Sequence, residues 1–263
     1  MPQSPWQRRL ERAQELIEQQ AFAAEILGFY LHLSRFQEQL HRDLERLLPK
    51  QTSNVSAPGA EQLAMLAGKF APFLSVVERN GPERLAELAS RLQEAGKNHW
   101  FELLEQAWRV RAPSDAREFL AQAFLQPYAE LLRARASLPP AEGKYASCPF
   151  CGRKPGLGVL RQRSESAARS LVCGFCTAEW DFRRLVCPGC GEENDNRLPV
   201  FTASDFDCIR VECCEACKTY IKTIDLTKNG RADPLVDELA SAPLDLWAHG
   251  QGYAKLQPNL LGM

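Results

Sequence analysis

The chain has 263 residues, of which 45% are hydrophobic and 25% charged, and its formal net charge is −1. This balance predicts a folded protein with a core of its own and argues against intrinsic disorder. The longest uncharged run, 119–129, is much shorter than the roughly 20 apolar residues of a transmembrane helix, so membrane insertion is not expected. The near-zero net charge also removes the usual electrostatic case for nucleic-acid binding.

The N-terminal half has the spacing of amphipathic helices. Apolar residues recur every three or four positions from 6 to 48, and further helical segments are predicted at 61–78, 82–95, 98–110 and 115–137. Gly96 is expected to end one helix, Ser114 or Asp115 to cap the last, and Pro127 to kink or split it. A proline pair follows this last segment. We therefore predict an all-helical domain over 1–140.

The second half contains short β-type segments separated by cysteine pairs. Strands are predicted at 159–160, 170–172, 199–201, 209–211 and 220–224. The chain turns helical again at Asp233, which precedes a proline at the first helical position. The predicted fold class is α+β: a helical bundle, two tandem rubredoxin-like or zinc-ribbon-like four-cysteine units (141–185 and 186–230), and a C-terminal helical segment (231–263).

All ten cysteines lie in this second half, and eight of them form Cys-x-x-Cys pairs. The pairs are Cys148/Cys151, Cys173/Cys176, Cys187/Cys190 and Cys214/Cys217. A tight turn with two intervening residues aims both sulfurs at one ion, and two such turns complete a tetrahedral metal site. Gly152 and Gly191 follow the Cys-Pro-x-Cys turns and can supply the positive φ that these turns require. We therefore expect the eight cysteines to be metal ligands.

The spacings between the pairs indicate an internal duplication. Between the pairs of each unit lie 21 and 23 residues, and both units begin with Cys-Pro-x-Cys-Gly. The simplest arrangement joins the first two pairs in one site and the last two in another, and a crossed arrangement stays open. A thioredoxin-type redox pair or an iron–sulfur cluster suits this pattern less well. Spacing does not choose between iron and zinc, because both ions accept tetrahedral thiolate ligands.

Several residues outside the pairs have two interpretations. Cys208 and Cys213 are expected to be buried packing residues, although the spacing of Cys213 to Cys217 also leaves a ligand role conceivable. Trp180 and Tyr220 are expected to pack over the metal turns. Glu179 and Lys222 are expected to form a structural ion pair or part of a partner surface. Asp237 and Glu238 are expected to face solvent.

The cysteine motifs and their neighbours resemble the FdhE-type formate dehydrogenase accessory proteins over roughly residues 145–261. The matching segments are Cys148-Pro-Phe-Cys-Gly, Leu171-Val-Cys-Gly-Phe-Cys-Thr-Ala-Glu-Trp180, Cys187-Pro-Gly-Cys-Gly, Val211-Glu-Cys-Cys-Glu-Ala-Cys-Lys-Thr-Tyr-Ile-Lys222 and Pro234-Leu-Val-Asp-Glu-Leu-Ala240. The resemblance implies a cytoplasmic assembly factor that binds the catalytic subunit of a respiratory formate dehydrogenase before that subunit is exported. It also favours two iron ions over zinc, and it assigns the fourth pair to Cys214 and Cys217, so that Cys213 is not a ligand.

Two other functions compete with this interpretation. Two rubredoxin-like irons would suit electron transfer to a partner, and a zinc ribbon with a basic face would suit nucleic-acid binding. The sequence contains no Ser/His/Asp order, no phosphate-binding glycine loop and no histidine near a reactive cysteine, so no catalytic activity is expected. The first residues carry an arginine pair without a following apolar stretch, so no export signal is predicted. The sequence leaves a homodimer open.

Overall fold

A computed structural model describes residues 4–48, 58–136, 145–163 and 166–259. The chain divides into two compact units. One unit contains the described residues before Gly28 and after Ser137, and the other contains the described residues of Gly28–Ser137. The predicted domain boundary near residue 140 lies outside the described residues, and the four-part domain organisation remains a prediction.

Helices make up the described residues up to Arg135. They are α1 (Pro5–Gln19), α2 (Ala24–Leu47), α3 (Ala60–Asn80), α4 (Glu83–Arg109) and α5 (Ala116–Arg135), with a short 3₁₀ turn at Ala21–Ala23. The helix predicted over 6–48 is interrupted, because the backbone leaves the helical region at Gln20. Gly96 separates two helical segments of α4, with a φ of 79°. Asp115 caps α5 by accepting hydrogen bonds from two backbone amides.

The unit around α5 is held by aromatic packing. Phe124 of α5 contacts Phe70 and Phe73 of α3, with ring centroids 4.9 and 5.5 Å apart. Every side chain of α5 from Glu118 to Leu132 is buried. Burial on all sides explains why α5 is not split at Pro127: packing outweighs the lost backbone hydrogen bond of a helical proline.

Seven strands of the described residues form a single sheet. They are β1 (Leu157–Arg163), β2 (Ser166–Val172), β3 (Glu179–Asp181), β4 (Val200–Thr202), β5 (Ile209–Cys214), β6 (Thr219–Asp225) and β7 (Ala254–Lys255). Their order is β3-β2-β1-β6-β5-β4, with β7 also paired to β6. Each predicted strand lies within or overlaps one of these seven, and β3 and β7 were not predicted. The sheet joins the two four-cysteine units, which the sequence presents as separate ribbons.

The parallel pairing of β1 with β6 is what joins the two units. Gly158 of β1 lies opposite Thr223 of β6. A Cβ atom on Gly158 would lie 2.3 Å from the Thr223 hydroxyl oxygen, so only glycine permits this approach. The other strand pairs, apart from β6 with β7, are antiparallel.

Two short helices, α6 (Pro234–Ala240) and α7 (Ala242–Gly250), lie between β6 and β7 in the chain. Asp233 accepts hydrogen bonds from two amides at the start of α6, as its sequence predicts. Val211 and Tyr220 of the sheet pack in one buried cluster with Leu244 and Ala248 of α7. One face of the sheet therefore forms the core of this unit.

The expectation that Asp237 and Glu238 face solvent is wrong. Both are almost fully buried on α6. Asp237 forms a bidentate ion pair with Arg12 of α1, at 2.6 and 3.0 Å. Buried carboxylates of this kind persist because each has a cationic partner that offsets its desolvation. This contact also explains why α1 belongs to the unit that contains the sheet.

Glu238 belongs to a buried charge cluster, which we define as Lys222, Glu238, Asp245 and Lys255. The Lys222 ammonium lies 3.0 Å from Glu238 and 2.6 Å from Asp245, and Lys255 contacts the same two carboxylates. Burial raises the pKa of Glu238, but the two ammonium groups outweigh it and lower that pKa to about 2. The ionised carboxylate therefore stabilises the fold above the unfolded pKa of about 4.5, and this stabilisation is lost as the pH falls towards 2.

Candidate metal centre

The Cys-x-x-Cys turns that begin each unit share one backbone conformation. The Cys148 amide donates to the carbonyl oxygen five residues further on, at 2.7 Å, and the Gly152 amide donates back to the Cys148 carbonyl at 2.9 Å. Cys187 and Gly191 repeat both hydrogen bonds at 2.9 Å. The duplication visible in the sequence is therefore also a duplication of structure.

A positive φ recurs four residues after the first cysteine of every pair. Gly152 and Gly191 have φ values of 70° and 81°, as predicted. Thr177 and Lys218 take the same position in the other two pairs, with φ values of 53° and 55°. The left-handed conformation costs a residue with a side chain about 1–2 kcal/mol, so the surrounding turns must hold it in place. Sequence reasoning missed these two residues, although their equal offset from the first cysteine would have identified them.

The structure brings the eight paired cysteines together as two groups of four, within the described ranges. The first group is Cys148, Cys151, Cys173 and Cys176, and the second group is Cys187, Cys190, Cys214 and Cys217. In each group the sulfurs lie within 4.8 Å of one another. This is the simplest of the arrangements that the sequence allows. It remains a prediction that these cysteines are metal ligands. The distances between their sulfurs can be compared with those of a tetrahedral metal site.

The sulfur separations fit a tetrahedral ion. Four metal–sulfur bonds of about 2.3 Å place neighbouring sulfurs about 3.8 Å apart. In the first group, Cys151 lies 3.5 Å from Cys173 and 3.7 Å from Cys176. In the second group, Cys190 lies 3.7 Å from Cys214. A disulfide would need about 2.05 Å, so these contacts are not disulfide bonds. Each group can hold one metal ion.

Hydrogen-bond donors surround the sulfurs and reduce their excess negative charge. Backbone amides donate to cysteine sulfurs at 3.3–3.5 Å in three of the turns. The Thr219 hydroxyl lies 3.0 Å from the sulfur of Cys217. Burial raises the pKa of Cys217, but this hydroxyl and the Thr219 amide lower it to about 7. The second group therefore has a thiol that is readily converted to the thiolate form that metals bind.

The two groups differ in their exposure to solvent. Three sulfurs of the first group are on buried residues, and only Cys151 is half-buried. The buried Arg153 follows the first cysteine pair of this group, and its guanidinium lies 3.8 Å from the ring centroid of Phe175 in the second pair. In the second group, Cys190 is exposed and Cys217 is half-buried. A chelator or a partner protein can therefore reach the second group more easily.

We predict that a chelator removes the two ions in separate phases. Excess EDTA should take one equivalent from the second group at least about ten times faster than the other, because ligand exchange starts at an accessible sulfur. Release would be followed by absorbance and metal analysis. Cys190→Ser should abolish the fast phase, and Cys151→Ser should abolish the slow one. Equal release rates from both groups would contradict the assignment.

The remaining sequence candidates occupy structural positions. Cys208 and Cys213 are buried in the core beneath α7 and lie outside both groups. Trp180 is buried, and its indole donates to the carbonyl oxygen of Tyr145 at 2.8 Å. Glu179 pairs with Arg161 at 2.9 Å, not with Lys222. The predicted ion pair between Glu179 and Lys222 is therefore wrong, because Lys222 pairs with Glu238 and Asp245 instead.

Family models match the region that carries both groups. Residues 147–184 match the model described as "FdhE, central domain", and residues 186–261 match "FdhE, C-terminal domain". The two matches lie side by side in the second half of the chain. The first group lies within the segment that matches the central-domain model, and the second group lies within the segment that matches the C-terminal-domain model.

Similarity to FdhE proteins extends beyond these two domains. An FdhE homologue of Aquifex aeolicus is 28% identical over 96% of this chain and 94% of its own length. A Pseudomonas putida FdhE homologue is 37% identical over 47% of this chain, and that alignment spans 40% of the relative. The crystal structure of FdhE from Pseudomonas aeruginosa has a TM-score of 0.69 at 24% identity, covering 99% of this chain and 97% of that one. This structural match shows that the two chains share a fold.

No helix among the described residues combines the length and the apolar character that crossing a bilayer requires.

Proposed function

We propose that this chain is a cytoplasmic accessory protein that binds the catalytic subunit of a respiratory formate dehydrogenase and supports its assembly or activation before export. The observation that carries the proposal is the match to both FdhE domain models, each over a segment with a complete four-cysteine group. The protein would act by binding its partner stoichiometrically, without a catalytic set of its own. Nucleic acid is not a proposed partner.

The two four-cysteine groups fit this role, because bound metal would stabilise the fold that carries the partner-binding surface. Metal binding by four cysteines contributes directly to folding free energy, because the ligands come together only in the folded chain. The first group supports the turn before β1, and the second supports the turns that flank β4 and β5. We propose that both ions are iron. Tetrahedral thiolates accept iron and zinc alike, and the resemblance to FdhE-type proteins favours iron.

The decisive experiment is capture of the tagged protein from anaerobically grown cells, followed by mass spectrometry and metal analysis. We expect recovery of the formate dehydrogenase catalytic subunit, still carrying its export signal, with about two irons per captured chain. An unrelated tagged protein of similar size is the control. Failure to enrich the subunit above that control would reject the proposed partner, and two zinc ions would reject iron.

Electron transfer is the second candidate, and the exposure of Cys190 favours it. A redox metal exchanges electrons rapidly only when a partner can approach one of its ligands closely. Reversible bleaching of a visible iron–thiolate spectrum, with reduction of the partner, would support this role. Spectroscopically silent metal would reject it.

A further inference from the structure

A cavity of about 210 Å³ lies beside the second four-cysteine group. Its wall is the segment 184–188, which leads into the first turn of that group, and its floor comes from the sheet. Glu212 and Ile221 line the cavity. They alternate along their strands with Val211, which packs in the core with α7, and with Lys222, which contacts carboxylates of α6 and α7. Because successive strand residues point to opposite faces, the cavity lies over the face that α6 and α7 do not cover.

The rim of this cavity is apolar and open to solvent. Leu185 and Val200 line it and are 62% and 52% exposed. Large aliphatic side chains gathered at a concave surface are typical of protein interaction sites. Leu198 and Leu256 extend the apolar lining inward. A single aliphatic or aromatic side chain would fill a space of this size.

A free strand edge adjoins the cavity. Val200 belongs to β4, which is the last strand of the sheet order and pairs only with β5 in the part of the chain that the structure describes. The outer edge of β4 can therefore accept backbone hydrogen bonds from an added strand. This geometry fits an extended peptide segment, with its alternate side chains directed towards the cavity.

The charged residues around the cavity indicate which charge the docked segment would carry. Arg169 and Arg210 line the cavity but are paired with Glu212 and Asp225, at 2.5 and 2.7 Å. Arg184 is exposed at the same rim and forms no ion pair among the described residues. A carboxylate beside the inserted apolar side chain could therefore form an ion pair with the guanidinium of Arg184.

We propose that the cavity and the β4 edge together dock an extended segment of the partner protein, with an apolar side chain in the cavity and a neighbouring carboxylate at Arg184. This proposal rests on the proposed function, because its partner is the formate dehydrogenase catalytic subunit. Cys187 and Cys214 of the second group also line the cavity. Docking therefore requires metal in the second group and depends much less on metal in the first group.

The test measures affinity for the purified catalytic subunit by biolayer interferometry. Leu185→Glu should weaken binding about ten-fold or more, because it removes an apolar contact and places a carboxylate at the rim. Leu246→Glu is the matched control: Leu246 is 74% exposed on α7 and does not line the cavity. Arg184→Glu should weaken binding and Arg184→Lys should largely preserve it. Both leucines are exposed, so metal content and melting temperature should stay unchanged in both variants.

The outcomes separate the docking site from the function. If the unaltered protein binds the subunit and Leu185→Glu binds equally well, the docking site is wrong and the function stands. If the unaltered protein does not bind the subunit, the proposed function fails first. If Leu185→Glu instead dissociates a homodimer without changing partner affinity, the cavity serves a second copy of this chain, and the proposal is overturned.

Discussion

Replacing Cys173 with serine is expected to remove one metal ion per chain and to lower the melting temperature by about 10 °C or more, whereas Cys208→Ser should retain both ions. Cys173 and Cys208 are both buried, so burial alone does not distinguish them. They differ in that Cys173 has three other cysteine sulfurs within reach of a common ion and Cys208 has none. A serine hydroxyl is a far weaker ligand than a thiolate at neutral pH.

The size of this effect follows from coupling between metal binding and folding. The free energy of metal binding contributes directly to the stability of the folded chain. For a protein of this size, each kcal/mol lost lowers the melting temperature by about 2–4 °C. Metal analysis gives the stoichiometry and calorimetry gives the melting temperature.

A second control examines the ligand alternative that the sequence left open. Cys213 adjoins Cys214 in the chain but lies on the core side of β5, with Tyr220. Cys213→Ser should therefore keep two ions, and Cys214→Ser should keep one. Loss of an ion from Cys213→Ser, or two retained ions in Cys173→Ser, would show that the ligand set is wrong.

Features governed by short-range chemistry could be predicted from the sequence. The four Cys-x-x-Cys turns, the positive φ at Gly152 and Gly191 and the cap at Asp233 each depend on residues within a few positions of one another. Metal-ligand spacing and turn chemistry act at that range, so a single sequence is sufficient to recognise them. The duplicated cysteine pattern also predicted that the two units resemble each other.

Features governed by long-range contacts could not be predicted. Asp237 was expected to face solvent because nothing nearby in the sequence marks Arg12 as its partner, and the two are 225 positions apart. The pairing of β1 with β6 is also a long-range contact, and it merges two ribbons into one sheet. The different exposure of the two groups also depends on packing, which their similar cysteine spacings do not reveal.

Replacing Lys222 with methionine is expected to lower the free energy of unfolding by about 3–5 kcal/mol. The Lys222 side chain is fully buried, and its ammonium contacts the carboxylates of Glu238 and Asp245 and the hydroxyl of Ser241. Methionine has a similar volume, so the packing changes little and the lost charge dominates. Two carboxylates would then share the single ammonium of Lys255 inside the core, and leaving a buried charge uncompensated carries this penalty. Urea unfolding of the metal-loaded protein measures it.

Lys228→Met is the matched control, because Lys228 is exposed and, among the described residues, its ammonium donates only to a backbone carbonyl oxygen. It should change the free energy of unfolding by less than about 0.5 kcal/mol. The double variant Lys222→Met with Asp245→Asn restores charge balance around Lys255 and Glu238. It should therefore cost less than the sum of the two single variants by about 1–3 kcal/mol. Additive costs would mean that the charges of the cluster do not interact, and the stabilisation would then come from packing alone.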